Sequence, residues 1–425
     1  MRKLEVLSKL IISHPTKFTL VVLVCVALYL QFPKYIEFRP IADHTWAQCD
    51  RASVARNYAQ ESMNFFLPRV HYTAGKTGIS GLEFPIINYS AAILYKIFGF
   101  HERYYRLIML LLVFSGLFAI FKLCDLYLND IFLSVFVCLA WYLSPLLVCY
   151  TPNFIPDAGS LGLILVAWYG FFKSTKSPSG KFQLIFLCAG LFASLIKLTA
   201  LISVISILSV SVLNLLLPEN KKFYSMKLSL KYILYCFTII GFTYSWYTYA
   251  SYLNDKYESW IFLMKSNPPQ SYHELIFNLK YIWSRFHNIY FSVGFYIMFL
   301  ISLVVTVVKF RKVNPLLFII LLHLYLGSFA FLVLMNRQFI YHEYYFISLL
   351  PVFFFQILVA SDILRKTELR LVSKWRIATL FFVVITVSNA ISARKFLKGR
   401  FSESGAVNSG TDSYLVYHGD RKSVV

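Results

Sequence analysis

Four acidic residues sit in polar islands of an otherwise apolar chain: Asp43, Asp50, Glu83 and Asp157. Lys197, Arg337, His342 and Tyr345 sit in islands of the same kind. Carboxylates near cations have a definite chemical use. The carboxylate takes the proton of a hydroxyl nucleophile, and the cations hold an anionic leaving group. Asp43, Asp50 and Asp157 are therefore the candidate catalytic residues. Glu83, Lys197, Arg337, His342 and Tyr345 are candidate substrate contacts, and Arg285 and His287 could serve with less support.

Each of these residues also has an ordinary reading. Thr45 with Gln48 fits a capping box, so a helix is expected to start there and run through Ala52, Ala55 and Ala59. Asp43, just ahead of it, could simply stabilise the positive helix end. Asp50, inside it, could pair with Arg51 or Arg56, and for Asp50 that reading is slightly preferred. Glu83 precedes Pro85, which suits the first turn of a short helix, and Asp157 suits a helix start. Lys197 interrupts an apolar stretch at 184–217, so it lines a cavity or snorkels. Tyr344 and Tyr345 fit an interfacial aromatic belt.

Composition says what frame must carry these residues. The chain has 425 residues, 58% hydrophobic and 14% charged, against roughly half and a quarter in soluble domains. Apolar runs at 18–32, 105–124, 131–150, 158–172, 182–196, 198–217, 231–249, 288–308, 315–335, 344–364 and 376–392 approach the ~20 residues that cross ~30 Å of hydrocarbon. The expectation is an all-α polytopic membrane protein with about eleven transmembrane helices. A disordered, collagenous or disulfide-scaffold chain is excluded, and the hydropathy argues against a soluble enzyme.

The net charge of +21 fits Lys and Arg gathered in cytoplasmic loops and calls for no nucleic-acid partner. Gly75-Lys76-Thr77 lacks the first glycine of a P-loop. Seven cysteines show no CxxC and no metal spacing. A divalent metal is possible but not indicated.

The basic flank Arg2, Lys3, Lys9 and Lys17 ahead of 18–32 reads as a retained signal anchor with a cytoplasmic N-terminus. The segment 85–98 is short, spanning about 21 Å as a helix, and carries Asn88 and Lys96. If it does not cross, the basic loops at 173–181, 218–231, 309–312 and 365–376 all face the cytoplasm. If it crosses, all four invert. It is therefore expected to lie as an interfacial helix on the outer face. Residues 1–392 then form one transmembrane domain, with a first external loop at 33–104 and a second external segment at 251–287. A polar tail follows at 393–425. The carboxylates gather at one outer face with Lys197, Arg337 and His342.

In chain order the motifs are Asp43 beyond the first span, Ala55-Arg56, Pro68-Arg69, Glu83-Phe84-Pro85-Ile86-Ile87-Asn88-Tyr89, Lys96-Ile97-Phe98-Gly99, Arg106, Pro156-Asp157, Leu195-Ile196-Lys197-Leu198-Thr199, and His342-Glu343-Tyr344-Tyr345 with Pro351. Taken together they resemble the GT-C glycosyltransferases of the protein mannosyltransferase and lipid A aminoarabinose transferase type, over most of residues 10–360. Glu83 stands where those families carry lysine or histidine, and His44 stands where an Asp-Glu pair is usual. The resemblance implies a GT-C-like fold and a sugar donor on polyprenyl phosphate. It implies Asp43 as general base, with Asp50 as the competing register, and Lys197, Arg337 and His342 around the donor phosphate.

The implied acceptor is a hydroxyl of a glycolipid, polysaccharide or protein. The implied location is the bacterial inner membrane, with the site facing the periplasm. Displacement of a phosphate by a base-assisted hydroxyl is expected to invert the anomeric centre, since retention needs a second, nucleophilic carboxylate. The alternatives are a polysaccharide polymerase or ligase of the same membrane, or a lipid-linked sugar flippase or transporter.

Overall fold

The computed structural model describes residues 14–71, 76–263, 265–367 and 372–401, with only the backbone for 372–380. The expected flank Arg2, Lys3 and Lys9 and the tail beyond 401 lie outside the described residues. In lipid a backbone must satisfy its own polar groups, which favours helices. The described residues are accordingly helical, and an isolated bridge between Arg69 and Ile79 is the only β pairing among them.

The first half of the chain holds α1 (Pro15–Tyr29), α2 (Phe32–Tyr35), α3 (Thr45–Gln60), α4 (Ile86–Phe98), α5 (Arg103–Leu128), α6 (Ile131–Tyr142), α7 (Pro145–Tyr150), α8 (Asp157–Lys176) and α9 (Gly180–Ile196). The second half holds α10 (Leu201–Leu216), α11 (Met226–Tyr257), α12 (Tyr272–Tyr290), α13 (Val293–Val308), α14 (Pro315–Leu334), α15 (Asn336–Phe339), α16 (Leu350–Lys366) and α17 (Val372–Arg400).

Each apolar run expected from sequence falls on a helix or an adjoining pair of helices. Among the described residues, five segments are long and apolar enough to cross a bilayer: Arg103–Leu128, Leu198–Leu216, Met226–Tyr257, Pro315–Leu334 and Glu343–Lys366. Tyr272–Tyr290 and Val293–Val308 make a sixth if that pair, bent by 106°, is one broken span. The remaining apolar helices include α1, α4, α6 and α9, all shorter.

Two runs are broken for local reasons. The run at 131–150 divides at Ser144, whose hydroxyl accepts from Leu147 N and donates to Tyr290 O at 2.6 Å, with Pro145 starting α7. The run at 288–308 starts inside α12, because Ser292 caps a new helix through Phe295 N.

The first loop folds as helices on the bundle. α3 packs on α4, and α4 on α5. Ile93, Ile97 and Phe98 leave an apolar face of α4 exposed, the arrangement of a helix lying in an interface. α5 and α8 approach closely at Gly116, where a Cβ would lie 2.6 Å from the Gly162 Cα; small residues permit such backbone contact. α17 runs on into the segment expected as polar tail, burying Ala393, Leu397 and Phe401.

Candidate functional site

A cavity of about 880 Å³ lies where the first loop, α10, α14 and the segments around 260 and 342 meet. It has two ends of different chemistry. One is ionic and aromatic, lined by Asp50, Arg51, Glu83, Lys197, His342 and Tyr345. The other is apolar, running between α10 and α14 past Ile202, Ile205, Leu326, Phe331 and Leu334.

Asp50 and Arg51 reach the cavity from α3. The helix starts at Thr45 as expected, but without the capping box. His44 takes the cap position with φ +53°, so Thr45 lies one residue inside. The Thr45 hydroxyl instead donates to Ala42 O, and the Gln48 amide donates to Ile41 O and Asp43 O, both at 2.8 Å. These bonds tie the loop to the helix that carries the acid.

Asp50 is buried, and among the described residues its carboxylate makes no hydrogen bond or ion pair. Burial pushes its pKa up to about 7, with the neighbouring Arg51 charge opposing the shift.

Glu83 is held from several sides. Asn254 on α11 clamps Gly81 through both N–H and C=O, at 2.7 and 2.9 Å. Trp246 Nε1 donates to Leu82 O at 3.1 Å, and Phe84 N donates to Leu195 O at 3.0 Å. The Glu83 carboxylate takes Arg51 Nε at 2.8 Å and Nη2 at 2.7 Å on one oxygen. Asn88 on α4 fixes the Arg51 carbonyl at 2.7 Å.

Lys197 ends α9, and Asp157 opens α8 beside it. Nζ lies 2.9 Å from Oδ1 and 3.1 Å from Oδ2. The ammonium also stands 5.1 Å from the Tyr345 ring centre and 5.7 Å from that of Tyr344, within cation–π reach. His342 completes this wall. Burial pushes its pKa down to about 4, helped by His44, so its imidazole is neutral at pH 7. Its Nδ1 is buried with no hydrogen-bond partner among the described residues.

Asp43 is not on the cavity lining. Its carboxylate pairs with Arg400 at the end of α17. Burial raises its pKa, and Arg400 opposes that rise. Next to it, His44 Nε2 meets Glu343 Oε2 at 2.8 Å, and Tyr150 donates to Glu343 Oε1 at 2.8 Å. Arg337 is also off the lining, in a bidentate pair with Glu274 on α12 whose Nη2–Oε2 contact is 2.9 Å. Arg285 and His287 lie outside the lining as well.

Of the residues singled out in the sequence, the structure brings Asp50, Glu83, Lys197, His342 and Tyr345 to the cavity lining, with Asp157 paired to Lys197. Sequence reasoning missed Arg51 as a cavity cation, and it missed the aromatic contributions of Trp46, Tyr247 and Trp260. A signal existed for Trp46, which precedes Asp50 by one helical turn. Among the described residues no group of three or more His, Cys, Asp or Glu side chains could hold a metal ion.

No protein-family model and no curated protein sequence matches the chain. Solved structures do. The chain is similar to ArnT from Cupriavidus metallidurans in the apo state, with TM-score 0.57 and 15% identity, over 94% of this chain and 75% of that one. It is similar also to the same protein bound to undecaprenyl phosphate, with TM-score 0.55 and 14% identity over the same shares. The chain is therefore a multi-pass membrane protein, helical throughout its described residues, with a fold like that of ArnT.

Proposed function

We propose that this chain is a membrane glycosyltransferase that moves a sugar from a polyprenyl-phosphate donor to a hydroxyl acceptor. The observation that carries the reading is the two-ended cavity. A phosphate on a long hydrocarbon chain needs cations at one end and an apolar corridor at the other. Lys197 and Arg51 supply the first, and the α10–α14 cleft supplies the second. One of the two similar structures is bound to undecaprenyl phosphate, a ligand of that chemistry.

The base in this proposal is Asp50. It faces the cavity without a partner among the described residues, whereas Asp43 is off the lining and bound by Arg400. A carboxylate with a pKa of about 7 is suited to accept a proton near neutrality. Asp50 takes the acceptor hydroxyl's proton as its oxygen bonds to the anomeric carbon. The bond from that carbon to the phosphate oxygen breaks, and its electron pair stays on the phosphate. Lys197 and Arg51 balance the charge that develops there. Asp157 and Glu83 hold those cations in place, and the displacement inverts the anomeric centre.

The basic loops at 173–181, 218–231, 309–312 and 365–376 favour a cytoplasmic side for those loops and a periplasmic, outer-face cavity. The bacterial inner membrane is the proposed location. The experiment offers purified protein a polyprenyl-phosphate sugar or a polyprenyl-diphosphate oligosaccharide. Consumption of the first alone supports the proposal. Consumption of the second alone favours a polymerase or ligase, and movement of either lipid without chemistry favours a flippase.

A further inference from the structure

We propose that the ends of α5, α8 and α16 form a binding site for the phosphate head group of an anionic glycerophospholipid. The site lies apart from the cavity, since Lys173, Lys176, Arg365 and Lys366 are all off its lining. It does not depend on the glycosyl-transfer reading.

Two of the segments long enough to cross a bilayer, Arg103–Leu128 and Glu343–Lys366, end here, and α8 ends with them at Lys176. The cluster therefore sits at head-group depth. Lys176 Nζ donates to Leu126 O at 2.7 Å and stands 4.0 Å from the Tyr127 ring centre. Arg365 Nη1 donates to Tyr127 O at 2.9 Å. Lys366 Nζ pairs at 2.5 Å with Oδ2 of Asp362, whose side chain is buried. Lys173, half-buried one turn before Lys176, makes no side-chain hydrogen bond or ion pair among the described residues.

The four cations are close enough to repel one another. Burial lowers the pKa of Lys176. The Asp362 charge opposes that shift, and Lys366, Lys173 and Arg365 add to it.

Lysine and arginine are ordinary at the cytoplasmic ends of spans, and Lys176 and Arg365 also cap carbonyls that the end of α5 leaves open. Neither fact uses up the charge. The acids at this end are Asp362 and Asp125, and Asp362 is taken by Lys366. Lys176 and Arg365 each bond a carbonyl, which carries no net charge, and their other donors have no partner among the described residues. An anion among these cations relieves their repulsion and fills those donors. A phosphodiester fits, because its oxygens suit a guanidinium and ammonium groups together. Free phosphate offers the same oxygens. The position at the ends of two spans favours the lipid, whose phosphate is held at that depth while its acyl chains run beside the helices.

The test uses the full chain in detergent micelles, titrated with phosphatidylglycerol, phosphatidylcholine or inorganic phosphate and read by native mass spectrometry. The variants are K173Q, K173R and K176Q, with K221Q in a separate basic loop as the control. The expected result is saturable binding of phosphatidylglycerol in clear preference to phosphatidylcholine. K173Q and K176Q should each weaken it about fivefold, the effect of one lysine beside an anionic lipid surface. K173R and K221Q should keep the wild-type affinity. Lys173 has no partner to lose, so K173Q should also melt as the wild type does.

Equal affinity for the two lipids, an unchanged K173Q, or a loss in K221Q as large as in K173Q overturns the site and leaves only the general charge of that face. Inorganic phosphate that binds more tightly than phosphatidylglycerol overturns the lipid as its occupant.

Discussion

Lys197 bridges to Asp157 across the α8–α9 junction, with the ammonium partly open and the carboxylate only 1% exposed. The cation is thus paired on its protein side and available on its cavity side. An ion pair of this kind stabilises the fold and can also bind an anion, so single substitutions mix the two effects.

Lys197→Met strands the Asp157 carboxylate and should cost stability, on the order of 3–5 kcal/mol for a broken buried pair. The double variant Lys197→Met with Asp157→Asn removes both charges. It should recover most of the thermal stability and none of the affinity for undecaprenyl phosphate. Melting temperature and affinity measured on both variants check this. Recovery of affinity along with stability would mean that the pair is purely structural.

Arg337 should behave differently. Its bidentate partner Glu274 lies on α12, and neither residue lines the cavity. Arg337→Met should leave undecaprenyl phosphate affinity at the wild-type level. A loss comparable to that of Lys197→Met would put Arg337 in the phosphate site despite its pairing.

Two buried groups should give the protein opposite pH slopes in stability. Asp50, with its folded pKa raised to about 7, binds more protons folded than unfolded from roughly pH 4 upward. Its contribution therefore falls as pH rises toward 7. His342, with its folded pKa lowered to about 4, binds fewer protons folded than unfolded up to its ordinary value of about 6.5. Its contribution rises with pH across that window. Relative to the wild type, the thermal stability of Asp50→Asn should therefore slope more upward with pH between about 4 and 6.5, and that of His342→Gln more downward. Parallel profiles for the two variants would contradict these environments.

Topology has its own test. Cysteine placed at Lys76 should react with an impermeant reagent from outside the cell, and cysteine at Lys221 should not. Labelling of position 221 from outside would invert the orientation and put the cavity on the cytoplasmic face.

Much of this frame was legible because hydrophobic runs of membrane length have few alternatives, and every expected run falls on helix. Lys197 was legible for the same reason, as a lone cation in an apolar stretch. The breaks at Ser144 and Ser292 were harder to see, because a serine cap inside an apolar run leaves the hydropathy unchanged. The partners of the charged groups were not legible at all. Arg51 and Glu83 are 32 positions apart, and Asp43 and Arg400 are 357 apart. Only the packed bundle decides that one aspartate is occupied and the other faces the cavity.

The central claim is that Asp50 is the general base. The most direct measurement is the transfer rate of Asp50→Asn and Asp43→Asn, each with undecaprenyl phosphate affinity and folding verified. Asp50→Asn should lose about 10²–10⁴-fold in rate while still binding undecaprenyl phosphate, and Asp43→Asn should keep measurable turnover. An active Asp50→Asn beside an inactive, folded and binding-competent Asp43→Asn would contradict the account and move the chemistry to Asp43.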